Sequence, residues 1–400
     1  MFATMLMTLA PALGGAEVPV AETPEVKLMI SADAVYTAAG DMLEGGTIAI
    51  AGRKIAAVVP GADSGEDGLH VGAITPGFID LSPRIHVGDL SVEESNEVSP
   101  SMRAVDSIDL FDKRWERLLR SGVTTVQVGP ANEDCIGGLA AVIKTGGAPR
   151  LDARMVLEDS ALCAAFGDQA SRGNHAVRRR PNDFFSRRPT TRMGTEWVQR
   201  KAFYDTLAAM GNEERQFEGW DVIASVLNGE RPFFAQASAT QDIRTAIYLQ
   251  EEFGIPGLVL DAAAEAWKEP DLLVRSGAAV VLPPFPAQGR TAIDNGFLAW
   301  NTAKQLVDLG VPVALSSHGA AGAADNLGMQ AGYAMRGGMS LDEALMAVTM
   351  TPARLAGVDD RVGSIEVGKD ADLVLWSGTP FAATSRVVGV VLDGKLVLSE

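Results

Sequence analysis

The sequence predicts an α/β protein, a (β/α)8 barrel accompanied by a small β-sandwich domain to which both chain ends contribute. The middle of the chain alternates apolar runs of strand length with amphipathic helical segments, the pattern of a parallel sheet. Both ends are instead rich in short strands separated by turn residues such as Asp393-Gly394. About eight strand–helix units fit between Ile74 and Leu355, and this number favours a closed barrel over an open sheet.

The chain therefore divides into three predicted parts: a leader, a barrel, and a β-sandwich domain formed by the two ends. Apolar runs of four to six residues predict the strands, and helical periodicity predicts the segments between them. The expected limits of the parts are residues 1–25 for the leader, 76–356 for the barrel, and 26–75 with 357–400 for the sandwich. The clearest barrel strands are predicted at 124–128, 233–237, 257–261, 279–282 and 312–316, and helices at 241–253, 326–335 and 341–349.

The leader resembles a signal peptide. A short apolar run is followed by small residues at Gly14 and Ala16, which fit a cleavage site before Glu17. A short tail is the alternative, because no basic residue precedes the apolar run. The sequence thus predicts an exported protein, periplasmic or extracellular, with the cytoplasm as the alternative location.

Composition and charge exclude several functions. The formal net charge of −17 argues against a nucleic acid or an anionic membrane as partner, since both would be repelled. An apolar content of 47% with 21% charged residues is that of a globular protein. Cys135 and Cys163 fit no zinc-binding spacing, and we expect them to be two separate buried thiols.

Three stretches carry a family resemblance. They are Ile74-Thr75-Pro76-Gly77-Phe78-Ile79-Asp80, Thr351-Pro352-Ala353-Arg354, and the run from Gly363 to Val374. In this order they resemble the first barrel strand, the last barrel helix and the C-terminal return of the amidohydrolase superfamily. Gly137-Gly138 and the run from Pro189 to Gly194 are similar to its imidazolonepropionase-like branch. The resemblance covers about residues 26–400 and implies metal-dependent hydrolysis of C–N bonds other than peptide bonds.

The resemblance also implies a zinc or other divalent metal site at the barrel mouth, where a metal-bound water is the nucleophile. The family supplies a His-x-His pair after the first strand, one His each from the fifth and sixth strands, and an Asp from the eighth. In this chain those positions hold other residues, namely Ser82, Arg84, Gln236, Ala262 and His318. We therefore expect no metal ligands and no cofactor.

The histidine count supports the same expectation. Only His70, His86, His175 and His318 are present, and His70 and His175 belong to the N-terminal sheet region and to an arginine-rich loop at 172–192. His86 and His318 alone cannot build a histidine-rich metal centre. Arg84 adds a permanent positive charge with no acceptor atom, which disfavours a cation.

Three residues are candidate catalytic residues. His318 is a possible general base near neutral pH, or a histidine hydrogen-bonded within the mouth. Asp168 is an acid near a position where relatives carry Glu, and Lys144, where the family has Lys, is either a bridging or a structural residue. Arg84 and Gln236 are candidate ligand-binding residues. Arg84 is expected to pair with Asp80 or Asp168, because an unpaired buried guanidinium is costly.

The favoured function is a non-catalytic member of the family that acts as the partner or regulator of an active relative, in a homo- or hetero-oligomer. An altered-site hydrolase and a binding protein for small carboxylates are the alternatives. The fold-bearing motifs are kept while the metal-binding positions are not, and most substitutions in a core destabilise it. A retained fold thus indicates a retained use of the surface.

Overall fold

Strands from both chain ends join in one sheet. In the computed structural model the described residues are 26, 28–61, 68–83, 85, 93, 95–172, 188–285, 296–319 and 326–399. The expected leader, Arg84, His86, His175 and most of the arginine-rich loop lie outside them. The shared sheet has seven strands in the order β15-β14-β13-β4-β1-β2-β3. Its strands are β1 (Leu28–Val35), β2 (Leu43–Ala51), β3 (Lys54–Pro60), β4 (Leu69–Pro76), β13 (Leu373–Trp376), β14 (Val387–Leu392) and β15 (Lys395–Ser399).

This sheet encloses an apolar cluster that includes Ile30, Ile48, Ile74 and Leu373. The predicted hairpin turn at Asp393-Gly394 is confirmed: both residues have positive φ, 49° and 73°, which a tight β-hairpin requires. A Cβ at Gly394 would lie 2.1 Å from the carbonyl oxygen of Gly52, so only glycine fits. The strand order describes one continuous sheet, and the two-layered sandwich remains a prediction.

The second sheet has eight strands in the order β12-β11-β10-β9-β8-β7-β6-β5 and forms a nearly closed barrel. The strands predicted within it are confirmed, with small differences at their ends. They are β5 (Phe78–Asp80), β6 (Val123–Val128), β7 (Ile136–Lys144), β8 (Met155–Ala165), β9 (Phe233–Gln236), β10 (Leu258–Asp261), β11 (Ala279–Leu282) and β12 (Val313–Leu315).

The barrel departs from the predicted (β/α)8 pattern at β7. This strand is antiparallel to both β6 and β8, whereas the other neighbours are parallel. The connections on either side of β7, residues 129–135 and 145–154, are too short for the crossover that a parallel pair needs. The regular alternation of strand and helix is therefore wrong for this part of the barrel.

Helices cover the outside of the barrel. The predicted helices are confirmed at Thr240–Phe253, Leu327–Arg336 and Leu341–Val348, the last with a capping box between Ser340 and Glu343. No helix in the described ranges is both long and apolar enough to cross a bilayer. The helices are α1 (Arg114–Arg120), α2 (Leu151–Arg154), α3 (Gln169–Arg172), α4 (Arg192–Met210), α5 (Trp220–Leu227), α6 (Thr240–Phe253), α7 (Pro270–Ser276), α8 (Thr302–Asp308), α9 (Leu327–Arg336), α10 (Leu341–Val348) and α11 (Met350–Leu355).

Candidate functional site at the barrel mouth

The carboxyl ends of the parallel strands bring a group of polar side chains together. Asp80, Gln236 and Asp261 are the last residues of β5, β9 and β10, and Ser316 follows directly after β12. All four are at most 1% exposed. Buried polar groups at this end of a barrel mark the usual position of its functional site.

The carboxylate of Asp80 is bound by four hydrogen bonds from the protein itself. Its Oδ1 accepts from Oγ of Ser316 at 2.6 Å and from the backbone N–H of Ser82 at 3.1 Å. Its Oδ2 accepts from Oγ of Ser317 at 2.6 Å and from the backbone N–H of Ser317 at 3.0 Å. These bonds link the first strand to the last, and they satisfy a buried charge without an added cation.

A second carboxylate, that of Asp261, lies between Ser82 and His318. Oγ of Ser82 donates to Oδ2 of Asp261 at 3.2 Å, and Nε2 of His318 lies 3.1 Å from Oδ1. The side chains of His318 and Asp261 are 3% and 2% exposed, so this pair is withdrawn from solvent. Both ring nitrogens of His318 are buried, and neither has a hydrogen-bond partner within the described part of the chain, so the approach to Asp261 is a close contact and not a hydrogen bond.

The backbone at His318 is specialised. Its φ is 48°, a left-handed conformation that few residues other than glycine, asparagine and aspartate adopt readily. The backbone N–H of His318 donates to Oγ of Ser316 at 3.2 Å, so the network that binds Asp80 also supports this turn. The end of β12 and Ser316 together position the imidazole beside Asp261.

Gln236 and Ala262, at two further positions where the superfamily has metal ligands, lie at the ends of the neighbouring strands β9 and β10. Gln236 pairs in register with Asp261 on one side and with Ala165 on the other, and its side chain is buried. Ala262 follows β10 with a φ of 55° and is fully buried. Beside Asp261 is a small cavity of about 20 Å³, also lined by Ser82, Gln127 and Cys163, which has room for about one water molecule.

These residues do not fit a divalent metal. Ala262 offers no donor atom, and Ser82 and Gln236 offer neutral oxygens that zinc seldom selects. Asp80 already accepts hydrogen bonds from serine and backbone donors. Within the described ranges, no group of three or more His, Cys, Asp or Glu side chains is placed to hold a metal ion.

Lys144 does not lie at the barrel mouth. β7 is antiparallel, and Lys144 pairs with Thr125 near the start of β6, at the barrel end opposite the mouth. Its ammonium group is 1% exposed and contacts Asp372, with Asp370 at 3.2 Å. Lys144 therefore joins the barrel to the terminal sheet, and the interpretation of Lys144 as a bridging residue is wrong.

Asp168 is the third catalytic candidate. It follows β8 on the mouth side, but its side chain is exposed, unlike the buried acids Asp80 and Asp261. The pairing predicted for Arg84 and the position of His86 cannot be placed, because both residues are outside the described ranges. In the described part of the arginine-rich loop, Arg188 stacks on Trp197 at 4.6 Å, and Nε of Arg192 is 2.9 Å from Asp242.

His70 behaves as predicted and belongs to the terminal sheet, where Nδ1 is 2.9 Å from Oγ of Ser31. Both cysteines are free and buried, as expected. Burial, with the nearby carboxylate of Asp261, raises the pKa of Cys163. The thiol beside the cavity therefore stays protonated at neutral pH and is a poor nucleophile.

The sequence interpretation missed the acid that faces His318. A single acid ends the buried run Leu258-Val259-Leu260-Asp261 and is followed by three alanines, and this was the available indication of a functional carboxylate. The serines at 316 and 317 were also missed. Their importance depends on the approach of β12 to β5, which a local pattern does not reveal.

Comparisons with known proteins agree with this architecture. Residues 292–397 match the family model described as "Amidohydrolase family". The crystal structure of an amidohydrolase from Thermotoga maritima MSB8 superimposes with a TM-score of 0.81 at 28% identity, covering 94% of this chain and all of that one. The chain belongs to the amidohydrolase superfamily.

Within the amidohydrolase superfamily the chain falls in the imidazolonepropionase-like branch. It is 40% identical over 91 residues to imidazolonepropionase of Syntrophobacter fumaroxidans, which is 22% of each chain. It is 24% identical over 378 residues to amidohydrolase tasK of Hapsidospora irregularis, which covers 85% of this chain. The chain spans only 38% of the length of that relative.

Proposed function

We propose that this chain is a non-hydrolytic member of the amidohydrolase superfamily that acts as the partner of an active relative. The observation that carries the first part is the Asp80 carboxylate, which accepts four hydrogen bonds from Ser82, Ser316 and Ser317. A carboxylate satisfied in this way gains little from a cation and would lose these bonds on binding one. The replaced positions Gln236 and Ala262 supply no compensating ligand.

A hydrolase assay with a gain-of-function control tests this proposal. The wild-type chain is assayed on amides and lactams with and without added zinc or manganese, and no turnover is expected. A variant with the family's donors, Ser82→His, Arg84→His, Gln236→His, Ala262→His and His318→Asp, is expected to bind zinc. Metal-stimulated turnover by the wild-type chain that Asp80→Asn abolishes would overturn the proposal.

The partner role is supported by the outer face of α4. Met193, Trp197, Tyr204 and Leu207 fall on one side of this helix at helical spacing, and all are exposed. A row of large apolar side chains on a protein with a net charge of −17 is typical of a contact surface. We propose a second amidohydrolase-like chain as the occupant of this face.

Affinity purification from the native source tests the partner. We expect a second amidohydrolase-like chain in near-equal amount, and we expect its loss with the double variant Trp197→Ser and Tyr204→Ser. Phe111→Ser is the matched control, because Phe111 is 78% exposed and is not part of α4. Recovery of the chain alone, or equal loss with the control, would contradict the partner role.

An altered-site hydrolase is the second candidate, and the pair formed by Asp261 and His318 favours it. A carboxylate that orients one imidazole nitrogen leaves the other available to take a proton from water. Metal-independent turnover that falls at least tenfold in His318→Asn, in the same hydrolase assay, would support this candidate. The carboxylate-binding role of Arg84 and Gln236 remains a prediction, as does export from the cytoplasm.

A further inference from the structure

A second cavity lies outside the barrel mouth, between the loop that joins β1 to β2 and the helices α10 and α11. Its volume is about 250 Å³, near the lower end of the range for small-molecule sites. The backbone N–H of Tyr36, in its wall, donates to the carbonyl oxygen of Ile74 at 2.9 Å, close to the amino end of β5. Among the described residues, this cavity shares no lining with the one beside Asp261 at the mouth. We call it the α10 cavity.

Part of the wall of the α10 cavity is apolar and formed by a regular helix. Leu345 and Met346 follow Asp342 by three and four positions in α10, so the three side chains lie on one helix face. The loop from β1 to β2 supplies the rest of the lining, together with Arg354 of α11. The carbonyl oxygen of Thr37 in this loop accepts from the backbone N–H of Ile365 at 2.8 Å. Walls held by a helix and by a backbone bond form a preorganised surface.

Two charged side chains of opposite sign line the α10 cavity. Asp342 lies in the first turn of α10 and Arg354 in the last turn of α11, and both are exposed. Among the described lining residues they are the only charged ones. Neither side chain forms a hydrogen bond or an ion pair, with the other or with any residue in the part of the chain that the structure describes. The carboxylate and the guanidinium are therefore each available to a ligand group of opposite charge.

Tyr36 adds a second polar group on the side of Asp342. Burial and the nearby carboxylate of Asp342 raise the pKa of the Tyr36 phenol. The phenol is therefore uncharged at neutral pH, and its oxygen can accept a hydrogen bond. A phenol oxygen and a carboxylate near each other offer two acceptors to an ammonium group, which carries three donors.

We propose that the α10 cavity binds a free α-amino acid with an apolar side chain. Its ammonium group contacts Asp342 and the oxygen of Tyr36, its carboxylate contacts Arg354, and its side chain packs on Leu345 and Met346. A simple cation leaves Arg354 unused and a simple anion leaves Asp342 unused, whereas a zwitterion uses both. Binding here is independent of the chemistry at the barrel mouth.

Three molecules that share one apolar body test the proposal. L-Leucine carries both charges, 4-methylpentanoate lacks the ammonium group, and 3-methylbutylamine lacks the carboxylate. Calorimetric titration of the full chain at low salt is expected to show one leucine per chain. Each singly charged analogue is expected to bind at least about tenfold more weakly, because it lacks one charge-assisted contact. No leucine binding, or equal binding of all three molecules, would overturn the proposal.

Variants of the two charged residues assign each end of the ligand. Asp342→Asn should weaken leucine binding about tenfold and should not weaken binding of 4-methylpentanoate. Arg354→Gln should weaken leucine binding equally and should leave 3-methylbutylamine unaffected. The controls are Asp271→Asn and Arg336→Gln. Asp271 is likewise the second residue of its helix, α7, Arg336 lies in the last turn of α9, and both are exposed and outside the cavity lining.

A bulky substitution and a thermal melt complete the test. Ala39 is exposed and lines the α10 cavity, so Ala39→Trp places a large ring in it and should abolish leucine binding. A melt of each variant without ligand separates lost binding from lost folding. The proposal fails if folded Asp342→Asn and Arg354→Gln bind leucine like their controls, or if folded Ala39→Trp binds it like the wild-type chain. Loss confined to the cavity variants supports it.

Discussion

Nε2 of His318 lies 3.1 Å from Oδ1 of Asp261, in a barrel mouth where both side chains are almost completely buried. The pair joins the end of β10 to the turn after β12, and the same turn carries the serines that bind Asp80. Two carboxylates at the mouth thus have partners from within the chain. This arrangement stands where relatives in the superfamily are expected to hold a metal.

Substitution of His318 tests the special backbone at this turn. We expect His318→Val to lower the free energy of unfolding by about 2–4 kcal/mol, because a β-branched residue is strained at positive φ and places an apolar side chain beside the buried carboxylate of Asp261. His318→Asn should cost about 1 kcal/mol, since asparagine adopts left-handed φ and keeps a polar side chain beside Asp261. Urea unfolding measures both. Equal losses for Val and Asn would contradict the account of the backbone.

The serine donors to Asp80 can be removed together. In the double variant Ser316→Ala and Ser317→Ala, the carboxylate keeps only backbone donors, and we expect a loss of about 2–4 kcal/mol in stability. Ser107→Ala is the control, because its hydroxyl bonds only to a nearby carbonyl on the surface, and it should change stability by at most about 0.5 kcal/mol. A double variant as stable as the control would show that the hydroxyl bonds to Asp80 contribute little.

We expect Lys144 to stabilise the fold and to have no role at the barrel mouth. Lys144→Met leaves the carboxylates of Asp370 and Asp372 without their buried cation, and we expect a loss of about 3–5 kcal/mol. The control is Lys201→Met, since Lys201 is about half exposed and its pair with Asp205 is worth at most about 1 kcal/mol. Chemical denaturation compares the two. A stable Lys144→Met protein would disprove the structural role.

The ion-pair cluster of Lys144, Asp370 and Asp372 also predicts that the stability of the protein changes in acid. Burial opposes ionisation of Asp370, but Lys144, Lys54 and Arg361 outweigh it and lower the pKa of this carboxyl to about 2. Because the folded-state pKa is below the ordinary value, the stabilisation is complete above about pH 4 and is lost as pH falls towards 2, an effect of about 2 kcal/mol. Burial raises the pKa of Asp372, which acts in the opposite direction.

Asp370→Asn isolates the first of these two contributions. The variant should be less stable than the wild-type chain at pH 7, and the difference should shrink as pH falls from 4 to 2. Unfolding curves at several pH values measure it. A difference that stays constant over this range would contradict the lowered pKa of Asp370.

Most of the fold could be predicted from local patterns, and the main error has one physical cause. Runs such as Phe233–Gln236 and Ala279–Leu282 are buried on both faces, so their composition alone indicates strands of a barrel. Ile136–Lys144 is equally buried, and nothing in its composition reveals its direction. Only the short connections on either side indicate that it runs antiparallel. That direction also decides that Lys144 lies opposite the mouth.

The sequence predicted which residues lie at the strand ends of the site, but it did not predict the contacts between them. Ser82, Gln236 and His318 could be placed at the mouth, because the carboxyl ends of parallel strands meet there. The contact between Asp261 and His318, and the serine bonds to Asp80, join residues far apart in sequence. Such pairings depend on how β12 packs relative to β5 and β10, and the local patterns of one sequence do not predict this packing.

The central claim is that the barrel mouth holds no divalent metal, and elemental analysis tests it most directly. The chain is produced in medium supplemented with zinc and manganese, dialysed, and measured beside the variant that carries the family's donors. We predict no stoichiometric zinc, manganese or iron in the wild-type chain and about one zinc in the variant. About one metal per wild-type chain that survives dialysis and is lost in Asp80→Asn would contradict the account.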